Sequence, residues 1–147
     1  TAVPLTVQRG ARETWRIENA ERSMPHPMHL HGFSFRVLER LGSPAPVRSL
    51  AGARGLLPQD QGVVDTLQVW PGESVRIAID FSHPHQGDQD YVFHCHTLEH
   101  AEAGMMMRDA DKALPTGRQT PCTTPTTKPM CIPSGGAQPA WRWRRLH

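Results

Sequence analysis

Two short runs of this chain constrain its fold more than anything else in it: His26-Pro27-Met28-His29-Leu30-His31-Gly32, and His94-Cys95-His96-Thr97-Leu98-Glu99-His100 with Met105 following. Together they hold six of the nine histidines and one of the three cysteines. In an extended strand, residues two apart share a side and neighbours face opposite sides. His94 and His96 therefore project one way and Cys95 the other, while His29 and His31 make a second same-face pair. Any fold that uses these side chains together must bring two segments, distant in sequence, side by side. It must also offer chemistry on both faces of one strand.

The segments around these runs favour such a fold. Trp15 and Ile17 alternate with Arg16 and Glu18, Phe33, Phe35 and Val37 with Ser34 and Arg36, and Val75, Ile77 and Ile79 with Ser74, Arg76 and Asp80. Each segment can bury one face and wet the other. Gly- and Pro-rich connections separate them at 42–46, 52–58, 71–72 and 83–90, and no stretch keeps a helical period. Tyr91, Val92 and Phe93 lead into His94-Cys95-His96 as a largely buried strand. At 147 residues the chain has room for one ordinary domain and a tail. Residues 1–110 read as an all-β sandwich. Residues 111–147 carry repeated prolines among Thr, Gly, Ser and Gln, too little apolar surface to offset ordering entropy, and are expected to be disordered or non-native. Within them Trp141-Arg142-Trp143-Arg144-Arg145 reads as a flexible end, and Asp109-Ala110-Asp111 as a break in the strand that Met105-Met106-Met107-Arg108 begins.

The donor types point to one metal. Cys95-x4-His100-x4-Met105 supplies a thiolate, an imidazole and a thioether in one passage, and His26 supplies a second imidazole. Two His and one Cys with a weak axial Met is the blue-copper electron-transfer arrangement. Zinc accepts the same donors, but structural zinc sites pair cysteines at short spacing, and here one ligating Cys meets a surplus of His. Copper is favoured.

The two runs resemble the two C-terminal copper signatures of the multicopper oxidases, the laccase-, bilirubin oxidase- and cuprous oxidase-like enzymes. The likeness extends over about residues 1–108 and takes in Val64-Asp65-Thr66 and Trp70-Pro71-Gly72-Glu73. It implies a cupredoxin-like Greek-key β-sandwich in which His26, Cys95, His100 and Met105 hold type 1 copper, His29 holds type 2 copper, and His31, His94 and His96 hold the type 3 pair. It further implies one-electron oxidation of a small reducing substrate, entering at the His100 edge, and reduction of O2 to water at a trinuclear cluster. Asp65 is the expected group that fixes a ligand imidazole. The family's cluster uses eight histidines, so four further ones must come from an N-terminal cupredoxin domain or a second subunit. The missing-domain case is favoured. Ala101 stands where many relatives carry an acid that assists proton delivery, which leaves Glu102 as the nearest one.

Other expectations are plainer. The formal charge of +2 lacks the concentrated positive potential of a phosphate binder, and no apolar stretch approaches membrane-spanning length, so neither nucleic acid nor membrane is an expected partner. His83-Pro84-His85 reads as a solvated loop. Cys122 and Cys131 can close a loop in an oxidising compartment, and the resemblance implies a periplasmic or extracellular setting. The rival reading is a mononuclear blue-copper module using His26, Cys95, His100 and Met105 alone, and a third is an inert fragment.

Overall fold

The computed structural model describes residues 5–102, 105–112 and 141–146. Nine strands are described: β1 (Leu5–Gln8), β2 (Arg12–Asn19), β3 (His26–Leu30), β4 (Phe35–Leu41), β5 (Thr66–Val69), β6 (Ser74–Asp80), β7 (Gln89–Cys95), β8 (Met106–Lys112) and β9 (Trp141–Leu146). They form a five-stranded sheet in the order β1-β8-β7-β3-β5 and a four-stranded sheet in the order β4-β6-β2-β9. All pairings are antiparallel except β1 with β8. Two short helices, α1 (Ala45–Arg48) and α2 (Leu98–Glu102), sit in the connections.

The alternation read from the sequence sets the faces. Trp15, Ile17, Val75, Ile77 and Ile79 from one sheet and Met28, Leu30, Leu67, Phe93 and Cys95 from the other bury into a single core. Trp15 is its centre, 5.7 Å from Phe81 and 5.8 Å from Phe93 between ring centroids. The sandwich expectation holds.

Two expectations about the chain's later part do not. Asp109-Ala110-Asp111 continues β8 rather than ending it, because Leu5–Gln8 pairs parallel to residues 109–112 and β7 pairs along the other side. Backbone pairing on both edges outweighs the broken apolar alternation. Trp141–Leu146 was expected to be flexible, yet it is β9, antiparallel to Thr14–Asn19. Its alternation sends Trp143 inward, 9% exposed and 5.4 Å from Trp15, and turns Arg144 to solvent. Cys122 and Cys131 lie outside the described residues.

One bulge changes what the core contains. Val37 pairs with Ile77 and Glu39 with Arg76, so an extra residue in β4 shifts the faces and turns Arg40 inward. Arg40 is 3% exposed. It grips both carboxylate oxygens of Asp60, with Nε to Oδ2 at 2.7 Å and Nη2 to Oδ1 at 2.8 Å. Its Nη1 donates to Glu73 Oε2 at 3.0 Å and to the Gln68 carbonyl at 2.9 Å. Asp60 also accepts from the Leu57 N–H, and Glu73 from the Trp70 N–H and the Ser43 hydroxyl. Burial alone would lower the Arg40 pKa, but the bonds and charges of Asp60 and Glu73 raise it above its ordinary value.

Candidate metal centre

The site is built where β3 and β7 lie side by side. Their register sets Met28 against Cys95, His29 against His94 and Leu30 against Phe93. Both strands therefore divide their ligand-type residues between two faces. His26, Met28 and Leu30 of β3 are buried, as are Phe93 and Cys95 of β7, whereas His29 and His94 project from the other face. The split expected for β7 is matched in β3.

On the inner face His26, Cys95 and His100 converge, with one ligand atom from each lying within 4.8 Å of the others. His26 Nδ1 is 3.1 Å from His100 Nδ1, and Cys95 Sγ is 3.7 Å and 3.5 Å from these two nitrogens. The loop after β7 folds back to permit this. The Met105 N–H donates to the His100 carbonyl at 2.9 Å, and the Cys95 N–H donates to the Met105 carbonyl at 3.0 Å. Met105 is thereby buried at the same place, 8% exposed. Desolvation by burial, assisted by repulsion from His100, lowers the His26 pKa to about 4, so its imidazole is neutral and a ready ligand.

On the outer face four imidazoles gather. His31 Nε2 lies 3.0 Å from His94 Nε2. The His29 ring is 4.8 Å from His31, 5.8 Å from His94 and 5.6 Å from His96, and the His94 and His96 rings are 5.4 Å apart. Desolvation, then repulsion from His29, His94 and His96, lowers the His31 pKa. A hydrogen bond holds each of two rings in place: His94 Nδ1 donates to its neighbour's carbonyl on Cys95 at 2.9 Å, and His29 Nδ1 to the Asp65 carbonyl at 3.0 Å. Each leaves the lone pair on Nε2, and that of His94 faces His31 Nε2. Donors arranged in this way suit a metal whose ligands are fixed by outer hydrogen bonds.

Asp65 thus acts on His29, though through its backbone. Its carboxylate is 3.8 Å from the ring and instead accepts from the Thr66 hydroxyl at 2.9 Å, whose oxygen is 2.8 Å from His29 Nδ1. A cavity of about 490 Å³ beside β5 is lined by Asp65, Thr66 and Gln68. His83 and His85 stand apart from this constellation. Their rings are 5.5 Å apart, and His83 packs on Phe33 and Tyr91. Glu99 and Glu102 are exposed on α2. Sequence reasoning missed Ser23, whose Oγ is 2.9 Å from His26 Nε2, and the Arg40 network. No pattern announces Ser23, and only the bulge reveals Arg40.

A two-sheet sandwich that assembles a thiolate and two imidazoles beside adjacent strands is a cupredoxin-like domain. The family model described as multicopper oxidase matches residues 1–113. A laccase of Bacillus subtilis (strain 168) is 39% identical over 111 residues, covering 71% of this chain and 21% of that protein. The multicopper oxidase mco of Staphylococcus aureus is 33% identical over 107 residues, with the same coverages. Among solved structures, the McoA multicopper oxidase of Aquifex aeolicus superposes with a TM-score of 0.62 at 38% identity, covering 77% of this chain and 22% of that one. The chain belongs to the multicopper oxidase family, a family of copper oxidoreductases. It spans about a fifth of the length of these relatives.

Proposed function

We propose that this chain is the C-terminal copper domain of a multicopper oxidase, in which His26, Cys95, His100 and Met105 hold type 1 copper and His29, His31, His94 and His96 supply half the ligands of a trinuclear cluster. The observation that carries this reading is the division of β3 and β7 into two donor-bearing faces. A mononuclear copper protein has use for the inner face only, so the four converging imidazoles of the outer one favour the oxidase. Type 2 copper falls to His29 and the type 3 pair to His31, His94 and His96. The remaining four histidines come from another domain or a second subunit, in keeping with the fifth of the relatives' length that this chain spans.

The donor chemistry suits copper. A thiolate and a thioether favour the reduced ion while imidazole accepts the oxidised one, so a mixed set makes one-electron exchange cheap. When bound, copper supplies the one-electron couple on the inner face and the reduction of O2 to water on the outer one. The residues of this chain do the remaining work. His100 carries the edge at which a small reducing substrate, a phenol, an aromatic amine or a metal ion, delivers its electron. Cys95 and His94 join the two faces through one peptide unit. Asp65 and Thr66 hold His29 with its Nε2 free. A periplasmic or extracellular setting goes with copper loading, and recovery of the native protein only in the cytoplasmic fraction of its source cells would refute it.

The test is copper stoichiometry on the purified chain, with its visible spectrum and paramagnetic resonance. One copper per chain with an intense thiolate-to-copper band is expected, and that band is lost in Cys95→Ser. A variant that keeps the band, or a wild type that binds no copper at all, would sink the type 1 assignment. Adding a cupredoxin domain or subunit that carries the other four histidines should then give O2 consumption.

A further inference from the structure

The two imidazoles on the inner face differ in how they are held. His26 sits at the start of β3, 3% exposed, with Nδ1 facing Cys95 Sγ and His100 Nδ1. Its other nitrogen, Nε2, lies 2.9 Å from the hydroxyl oxygen of Ser23, in the turn just before the strand. That turn is itself tied down. The Ser23 N–H donates to the Ala20 carbonyl at 3.2 Å, and the amide of buried Asn19 donates to the Met24 carbonyl at 2.8 Å and to Val69 at 3.2 Å. The hydroxyl is thus presented by an anchored backbone rather than a loose loop. A neutral imidazole carries one proton, and the hydrogen bond made by one nitrogen decides which nitrogen keeps a free lone pair.

We infer that Ser23 is a positioning residue for the inner copper site: its Oγ accepts the His26 Nε2–H, which fixes the ring and leaves the Nδ1 lone pair aimed at the space shared with Cys95 and His100. The inference rests on the type 1 reading for its purpose, but not for its geometry. The same bond makes His26 the stiffer of the two imidazole donors. His100 lies in the short helix α2, and among the described residues its ring meets His26 and Cys95.

The test begins on the metal-free full chain, with nitrogen NMR of the histidine rings in wild type, Ser23→Ala and Ser23→Thr. In wild type His26 should be almost wholly the Nε2–H tautomer. Ser23→Ala should mix the two tautomers while leaving His29 and His94 unmoved, and Ser23→Thr should restore the wild-type pattern. A wild-type His26 protonated on Nδ1 would overturn the inference without any variant, and so would a Ser23→Ala spectrum identical to wild type. Copper titration then reads the consequence: Ser23→Ala should weaken Cu(II) binding about tenfold, the loss associated with removing an outer partner of a ligating His, and shift the thiolate band, with Thr restoring both. A correct tautomer pattern in a chain that shows no thiolate band leaves Ser23 in its place and defeats the type 1 reading instead.

Discussion

At the residue scale the sharpest consequences come from groups whose ordinary charge or shape the fold overrides. Arg40 is enclosed by Asp60 and Glu73, and removing it strands two buried carboxylates. Arg40→Met should therefore cost about 3–5 kcal/mol, read as a lowered urea midpoint. A loss below about 1 kcal/mol would mean that the carboxylates find water. His26 sets a pH dependence of the metal-free chain. Its folded pKa of about 4 lies below the ordinary 6.5, so between these values the unfolded chain binds the proton more readily. Stability should be full above about pH 6.5 and fall as the pH drops towards 4, with His31 shifted in the same direction. A midpoint that stays level between pH 7 and 4.5 contradicts this. Gly32 is held by shape rather than charge. Its φ is +76°, and a Cβ there would lie 2.2 Å from Tyr91 Cε1. Gly32→Ala should displace Tyr91 beside the four-histidine face, lowering the thermal midpoint.

At the scale of elements, legibility followed alternation. Strands with a dry face and a wet face were readable because period two is written directly in Trp15, Ile17, Val75 and Ile77, and so was the opposition of Cys95 to its flanking histidines. The elements that escaped were those whose partner is remote. β8 is specified by β1 and β7 pairing along its two edges, and β9 by Trp15 receiving Trp143, and neither partner is visible from the local pattern. The bulge in β4 was illegible for the same reason, because an extra residue is noticed only against the strand opposite. Trp143→Ala should cost about 3 kcal/mol, the usual loss for a large buried aromatic, as judged by chemical denaturation. An unchanged midpoint would show that β9 contributes no core. Just past the end of β7, His96→Ala should leave the thiolate-to-copper band intact, because His96 lies with His29 and His94 on the face opposite Cys95. Loss of that band would show the two faces to be interdependent.

For the molecule as a whole, the inner face brings His26, Cys95 and His100 together within the described residues, while the outer face gathers four imidazoles. The described residues form a two-sheet sandwich with donors on both faces of β3 and β7, and the matched part is about a fifth of the length of the Bacillus subtilis laccase and the Aquifex aeolicus McoA. The buried Arg40 cluster bears on how such a domain changes through its lineage. Arg40, Asp60 and Glu73 answer to one another, and the two acids also hold the Leu57 and Trp70 amides that shape the loops beneath β4 and β6. Exchange of any one leaves the others uncompensated, and apolar replacement of all three orphans two backbone N–H groups. These positions therefore drift only together, or not at all. Surface positions without such mutual dependence can change one residue at a time, so the frame beneath β4 and β6 should be the slowest part of this domain to change.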